Sequence, residues 1–175
     1  MGSLVFSSLV HSLMHAKHSI EYKLLRLTKK LRDTQQYATM VGSGSISIGD
    51  ILRSPGSMLG RTMNYLAYAH NSALQYMEQN APYMQQMYAQ QMAAQQNAQQ
   101  MQMMNNYIRR SLYIQGRERA AEIETKNLHE LEHRISEEKE RLQTQLQEVE
   151  QELKSAREAR DAGIKDMAPK YTASA

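Results

Sequence analysis

The residues best equipped for chemistry stand at 129–133, His129-Glu130-Leu131-Glu132-His133. On a helix the two imidazoles lie one turn apart on the same face, where they can share a divalent ion, and a glutamate beside them can activate a bound water. Such catalysis also needs a third ligand from another element and a site closed to bulk water. The surroundings offer neither, because the pentapeptide sits in a run of Glu, Lys and Arg. Glu152 is a third ligand by sequence distance, yet it falls roughly 30 Å further along the same predicted helix. A second cluster, His11, His15 and His18, reads as exposed helix surface.

The pentapeptide resembles the active-site helix of zinc metalloproteases in both the HExxH and the inverted HxxEH arrangement. The resemblance implies His129 and His133 as ligands with Glu130 as base, or Glu132 in the inverted form. It covers five residues, and their charged flank leads to the expectation of no catalytic residue, no bound metal and no cofactor. The chain has no cysteine, so disulfides, thiolate zinc sites and thiol catalysis are excluded. Gly42, Gly44 and Gly49 in VGSGSISIGDIL make neither GxGxxG nor GxxxxGK, and the segment reads as a hinge or contact loop. Met84-x-x-Met87 and Met101-x-x-Met104 present soft thioethers suited to Cu(I), but methionines at helical spacing more commonly fill irregular packing space.

The elements that would position these residues are helical. There are 13 Met and 10 Tyr but one Phe, no Trp and three Pro. Unbranched Met, Gln, Leu, Glu and Arg lose little rotamer freedom in a helix, so the fold class expected is all-α: long helices, coiled-coil heptads at both ends, a glycine-rich loop, and little or no sheet. Near the N-terminus, Phe6, Leu13, Ile20 and Leu27 form one seven-residue series; Val10, Leu24, Leu31 and Ala38 form a second, interrupted by Lys17. Near the C-terminus, Ala121, Leu128, Ile135, Leu142, Val149 and Ala156 recur every seven residues, with Leu146 and Leu153 in the neighbouring seam. Thr125, Glu132 and Lys139 occupy the earlier seam positions, so that coil is weaker where it begins.

Six stretches follow: an amphipathic helix over 1–40, a Gly/Ser loop over 41–54, a short helix over 55–80, an uncharged Met/Gln-rich helix over 81–116, a charged coiled-coil helix over 117–162, and a tail over 163–175. Ser54-Pro55 has the form of an N-cap followed by proline at the first helical position. The stripe Leu59, Met63, Leu66, Ala73 and Met77 carries that helix to Asn80-Ala81-Pro82, where a stop is expected. Beyond Pro82 only Gly116 interrupts the pattern before Gly163, which predicts a helix of about 80 residues, roughly 120 Å long.

Residues 84–104, MQQMYAQQMAAQQNAQQMQMM, hold six Met and nine Gln, and residues 79–108 carry no charge at all. Nine amides cannot enter hydrocarbon unpaired, and no 18-residue apolar span exists, so no stable membrane span is expected. The apolar start lacks a basic residue before it, and Gly2 lacks the Ser or Thr at position 6 that myristoylation favours, since Phe6 stands there. The expected location is the cytoplasm, export by a route independent of a signal peptide, or a virion. The net charge of +3 conceals an asymmetry: residues 1–52 hold six Lys or Arg against three acids, residues 111–175 eleven against fourteen. That pattern suits self-association, and without interleaved aromatics or a groove-reading motif no nucleic-acid partner is expected.

The function expected is a structural subunit of a helical assembly (filament, tube or ring), a homo-oligomer with the Met/Gln-rich helix buried between copies. The assembly interface would comprise Leu13, Ile20, Leu24, Leu27, Leu31, Met84, Met87, Met101, Met104, Leu128, Ile135, Leu142, Val149 and Leu153. The layout of coiled-coil ends around a softer middle is similar to that of flagellin-like and type III secretion filament subunits. Alternatives are a phage internal or ejection protein, a dimeric coiled-coil adaptor binding another helical protein, and, weakest, a zinc metallopeptidase built on HELEH.

Overall fold

A computed structural model describes residues 2–43, 46–92 and 98–167, with side chains for 5–43, 46–90 and 98–165. Three helices dominate: α1, Gly2–Gly42; α2, Leu59–Met92; and α3, Ala98–Met167. A 3-10 helix, Ile48–Arg53, lies between α1 and α2, and no strand occurs among the described residues. The fold is all-α. Among the described residues, no helix is long and apolar enough to cross a membrane.

The caps explain the boundaries. Ser43 closes α1 by donating its N–H to the Thr39 carbonyl (3.2 Å) and its hydroxyl to the Met40 carbonyl (2.7 Å), satisfying groups that a helix end leaves open. At the 3-10 helix, the Asp50 carboxylate accepts from both the N–H and the hydroxyl of Ser47, each at 2.9 Å. The backbone bond from Ser47, then its hydroxyl bond, holds the Asp50 carboxyl below its ordinary value. Ser54 departs from expectation: its hydroxyl turns back to the Ile51 carbonyl at 3.0 Å and closes the 3-10 helix, so it does not open α2. Its backbone is extended (ψ 143°), as the proline after it demands. The α2 helix begins at Leu59 instead, after Met58 donates to the Pro55 carbonyl at 2.8 Å.

Three further boundaries move. Helix α2 continues through Pro82 to Met92. Proline leaves the Glu78 carbonyl without its usual donor. Pro82 is solvent-exposed, however, and Tyr76, Met77 and Ala81 before it, Met84 and Tyr88 after it, all pack on one cluster, which holds the helix together across the break. Helix α3 passes uninterrupted through Gly116, and its other end passes Gly163 to Met167. The predicted 80-residue helix is in fact two antiparallel helices. Helix α2 ends at Met92 and α3 begins at Ala98; residues 93–97 lie outside the described residues, as do 168–175 of the expected tail.

The chain forms two units, Met1–Lys30 with Arg134–Ala175, and Leu31–His133. In the first, α1 and α3 run antiparallel: Val10 and Leu13 pack with Leu153 and Ala156, while Lys17 reaches back to Glu150 at 2.7 Å. In the second, the end of α1, all of α2 and the start of α3 surround a core of Tyr37, Val41, Ile46, Met58, Tyr65, Ala69, Ala120, Ala121 and Leu128. The pairings Arg61–Glu124 and His70–Tyr113 show that α2 runs against α3, and the Ser57 hydroxyl donates to Asp33 of α1 just before α2 begins. A smaller cluster, Ala81, Ile108 and Leu112, extends the α2–α3 hairpin toward its uncharged end.

Candidate interaction surface and buried polar cluster

Within the unit formed by residues 31–133, the two arms of the hairpin meet at Gly116. A β-carbon there would stand 2.7 Å from the Ala73 α-carbon and 3.2 Å from the Tyr76 β-carbon, so glycine permits contact between the two backbones. Ala73 is fully buried at that contact. The sequence suggested an interruption at Gly116; the structure gives it the opposite task of binding α3 to α2.

From Arg117, next to Gly116, to Glu124 about two turns further along α3 lies a polar cluster that sequence spacing did not reveal. Arg61 donates through Nε to Glu124 at 2.6 Å, and Arg117 donates through Nη2 to the Ile46 carbonyl at 2.7 Å. The hydrogen bond to Glu124 raises Arg61 further above its ordinary value. Tyr37 is fully buried beside this pair, and its hydroxyl has no hydrogen-bond partner. Burial first, then the Glu124 charge, pushes its phenol well above the ordinary range; burial likewise raises Tyr65. The Glu124 carboxylate, whose Oε1 accepts from Arg61, acts on Tyr37 chiefly through charge and more weakly as a nearby acceptor. Arg61 and Glu124 lie 63 residues apart, on separate amphipathic helices whose polar residues look alike in sequence. The cluster fixes the register of α2 against α3, because a slip of one turn would strand a charge in a partly buried place.

Toward the hairpin end the lining changes to thioethers, phenols and amides. Met84 and Met104 are half-buried, packed against Ala81, Ile108 and Leu112 of the same unit. Met87 and Met101 are exposed, together with Tyr83 (67%), Met103 (67%) and Tyr107 (65%). Of the four methionines expected at a subunit interface, Met84 and Met104 are thus half-buried within the chain and Met87 and Met101 are exposed. Tyr83, Met103 and Tyr107, which the sequence expectation omitted, share the exposed apolar surface. Their positions on the outer faces follow only once both arms are paired.

In the unit formed by residues 1–30 and 134–175, Leu13, Ile20, Leu24 and Leu27 are half-buried; Ile135, Leu142 and Leu153 are buried, and Val149 is half-buried. Leu31 is half-buried and Leu128 fully buried in the other unit. An open groove of ≈ 630 Å³ runs along the helix pair, lined by Phe6, Leu9 and Leu13 on α1 and by Gln151, Ser155 and Ala159 among others on α3.

His129 and His133 are exposed on α3, and His129 Nδ1 stands 3.4 Å from Glu132 Oε2 on its own helix. Among the described residues, no group of three or more His, Asp or Glu side chains is placed to hold a metal ion. His11, His15 and His18 are exposed on α1, with His18 Nδ1 3.0 Å from Glu21 Oε2. Comparisons with known proteins give no matching family model, no match among curated proteins and no match among solved structures.

Proposed function

We propose that this protein is a structural subunit of a helical homo-oligomeric assembly, and that copies meet through the uncharged end of the α2–α3 hairpin. The observation that carries this reading is the thirty-residue charge-free stretch, 79–108, folded back on itself with Tyr83, Met87, Met101, Met103 and Tyr107 on its outside. Two paired helices bury one stripe each and leave the remaining faces to solvent or to a neighbour. Ordinary soluble surfaces intersperse charges among apolar side chains, and this end has none to do so. Methionine adapts its shape to a neighbouring copy, and glutamine amides can both donate and accept across the contact.

Sedimentation velocity on the purified chain tests the proposal. Species heavier than 20.1 kDa that grow with concentration support it, and paired substitutions Met103→Glu and Tyr107→Glu should return them to monomer. A monomer at every concentration would overturn it. A second reading, a coiled-coil adaptor, is favoured by the open Phe6–Leu9–Leu13 groove. Discrete dimers that survive the two glutamate substitutions but dissociate in Leu9→Glu would select it.

A further inference from the structure

Exposed histidines on a helix usually point away from one another, but on α1 two of them converge. His11 Nε2 and His15 Nε2 are 3.1 Å apart, with ring centroids separated by 4.5 Å and the ring planes perpendicular. Four residues of separation places both on the same face. Packing fixes the turn that carries them: Val10 and Leu13 are anchored on Leu153 and Ala156, and Lys17, two residues beyond His15, is anchored on Glu150. The helix turn that carries both imidazoles is thus held by contacts on both sides of it.

We infer that His11 and His15 form a two-imidazole site for a borderline divalent transition-metal cation, of the Ni²⁺, Cu²⁺ or Zn²⁺ class. Metal–imidazole bonds are about 2.0–2.1 Å, so two of them meeting at 90–110° place the ligand nitrogens about 2.9–3.4 Å apart. The observed 3.1 Å lies inside that interval. Without the ion, one ring donates its Nε2 proton to the other; on binding, that ring carries its proton on Nδ1, and both Nε2 lone pairs face the cation. Two protein ligands leave the remaining positions to water or an external ligand, so the site clamps one turn of α1 and remains open to exchange. Neutral nitrogen ligands favour this metal class over Mg²⁺ or Ca²⁺, which prefer oxygen. His129 and His133, the other pair at this spacing, serve as the comparison within the same chain.

Isothermal titration of the tag-free, metal-stripped full chain with NiCl₂ tests the inference. The expected result is saturable binding that weakens at least tenfold in His11→Gln and in His15→Gln, while His18→Gln and His129→Gln stay within twofold. Circular dichroism of each variant confirms that helicity is retained. A readout on the unsubstituted chain uses substoichiometric Cu²⁺, which should broaden the His11 and His15 imidazole NMR signals before those of the other four histidines. Absence of binding below millimolar NiCl₂, affinity in His11→Gln or His15→Gln unchanged from the parent chain, or broadening that begins at His129 or His133 would overturn it.

Discussion

Gly116 shows how far one side chain can reach into a helical fold. Alanine is the better helix former by about 1 kcal/mol, and on an exposed helix Gly→Ala would stabilise. Here the added methyl would meet the Ala73 backbone at 2.7 Å, which cannot rotate away. Gly116→Ala should therefore lower stability by about 2 kcal/mol net, measured by urea unfolding. A rise in stability would show that the two backbones are not in contact. Tyr37 makes the complementary point: its buried hydroxyl lacks a partner, so Tyr37→Phe should be neutral or stabilising by up to about 1 kcal/mol at pH 7. Because the folded Tyr37 and Tyr65 phenols have raised pKa values, their contribution is fully present below the unfolded value of about 10. It is lost as pH rises from there through the folded values. The same Phe variant should consequently lose less stability than the parent between about pH 10 and 12.

At the scale of elements, the residues spaced by seven are buried to different degrees: Leu128, Ile135, Leu142, Leu153 and Ala156 of α3 are buried, whereas on α1 Val10 is buried and Phe6, Leu13, Ile20, Leu24, Leu27 and Leu31 are half-buried. Leu142→Asp should therefore cost about 3–4 kcal/mol of stability, read as a lowered urea midpoint. An unchanged midpoint would contradict the burial of that seam. That α2 and α3 are separate antiparallel helices was not legible for a definite reason: the sequence between Met92 and Ala98 contains neither Gly nor Pro, and Ala and Gln favour helix. Conversely, Pro82 and Gly116, the local signals that suggested ends, are overridden by packing on Ile108 and Leu112 and by the Ala73 contact. The Arg61–Glu124 pair was invisible for another reason. Partner choice across 63 residues depends on tertiary register, and no local spacing encodes it.

For the molecule as a whole, the charge asymmetry of the sequence has an internal use that bears on how copies would meet. Lys17 of basic α1 is paired with Glu150 of acidic α3 inside one chain, and the Glu150 carboxylate raises the Lys17 ammonium above its ordinary value. Opposite charge between these segments is then partly satisfied before any second copy arrives. The proposed contact lies on residues 79–108, where there is no charge to screen. Raising NaCl from 0.1 to 0.5 M should consequently leave self-association unchanged or strengthen it, because salt screens charged contacts and leaves apolar burial in place. Marked dissociation by salt would move the interface to the charged ends of α1 and α3.

The most direct measurement is a sedimentation-velocity concentration series on the unmodified chain beside the Met103→Glu, Tyr107→Glu variant. The account predicts concentration-dependent species above 20.1 kDa for the first and a monomer for the second, with equal helicity in both. A single 20.1 kDa species at every concentration, or assembly that persists with both glutamates in place, would contradict it.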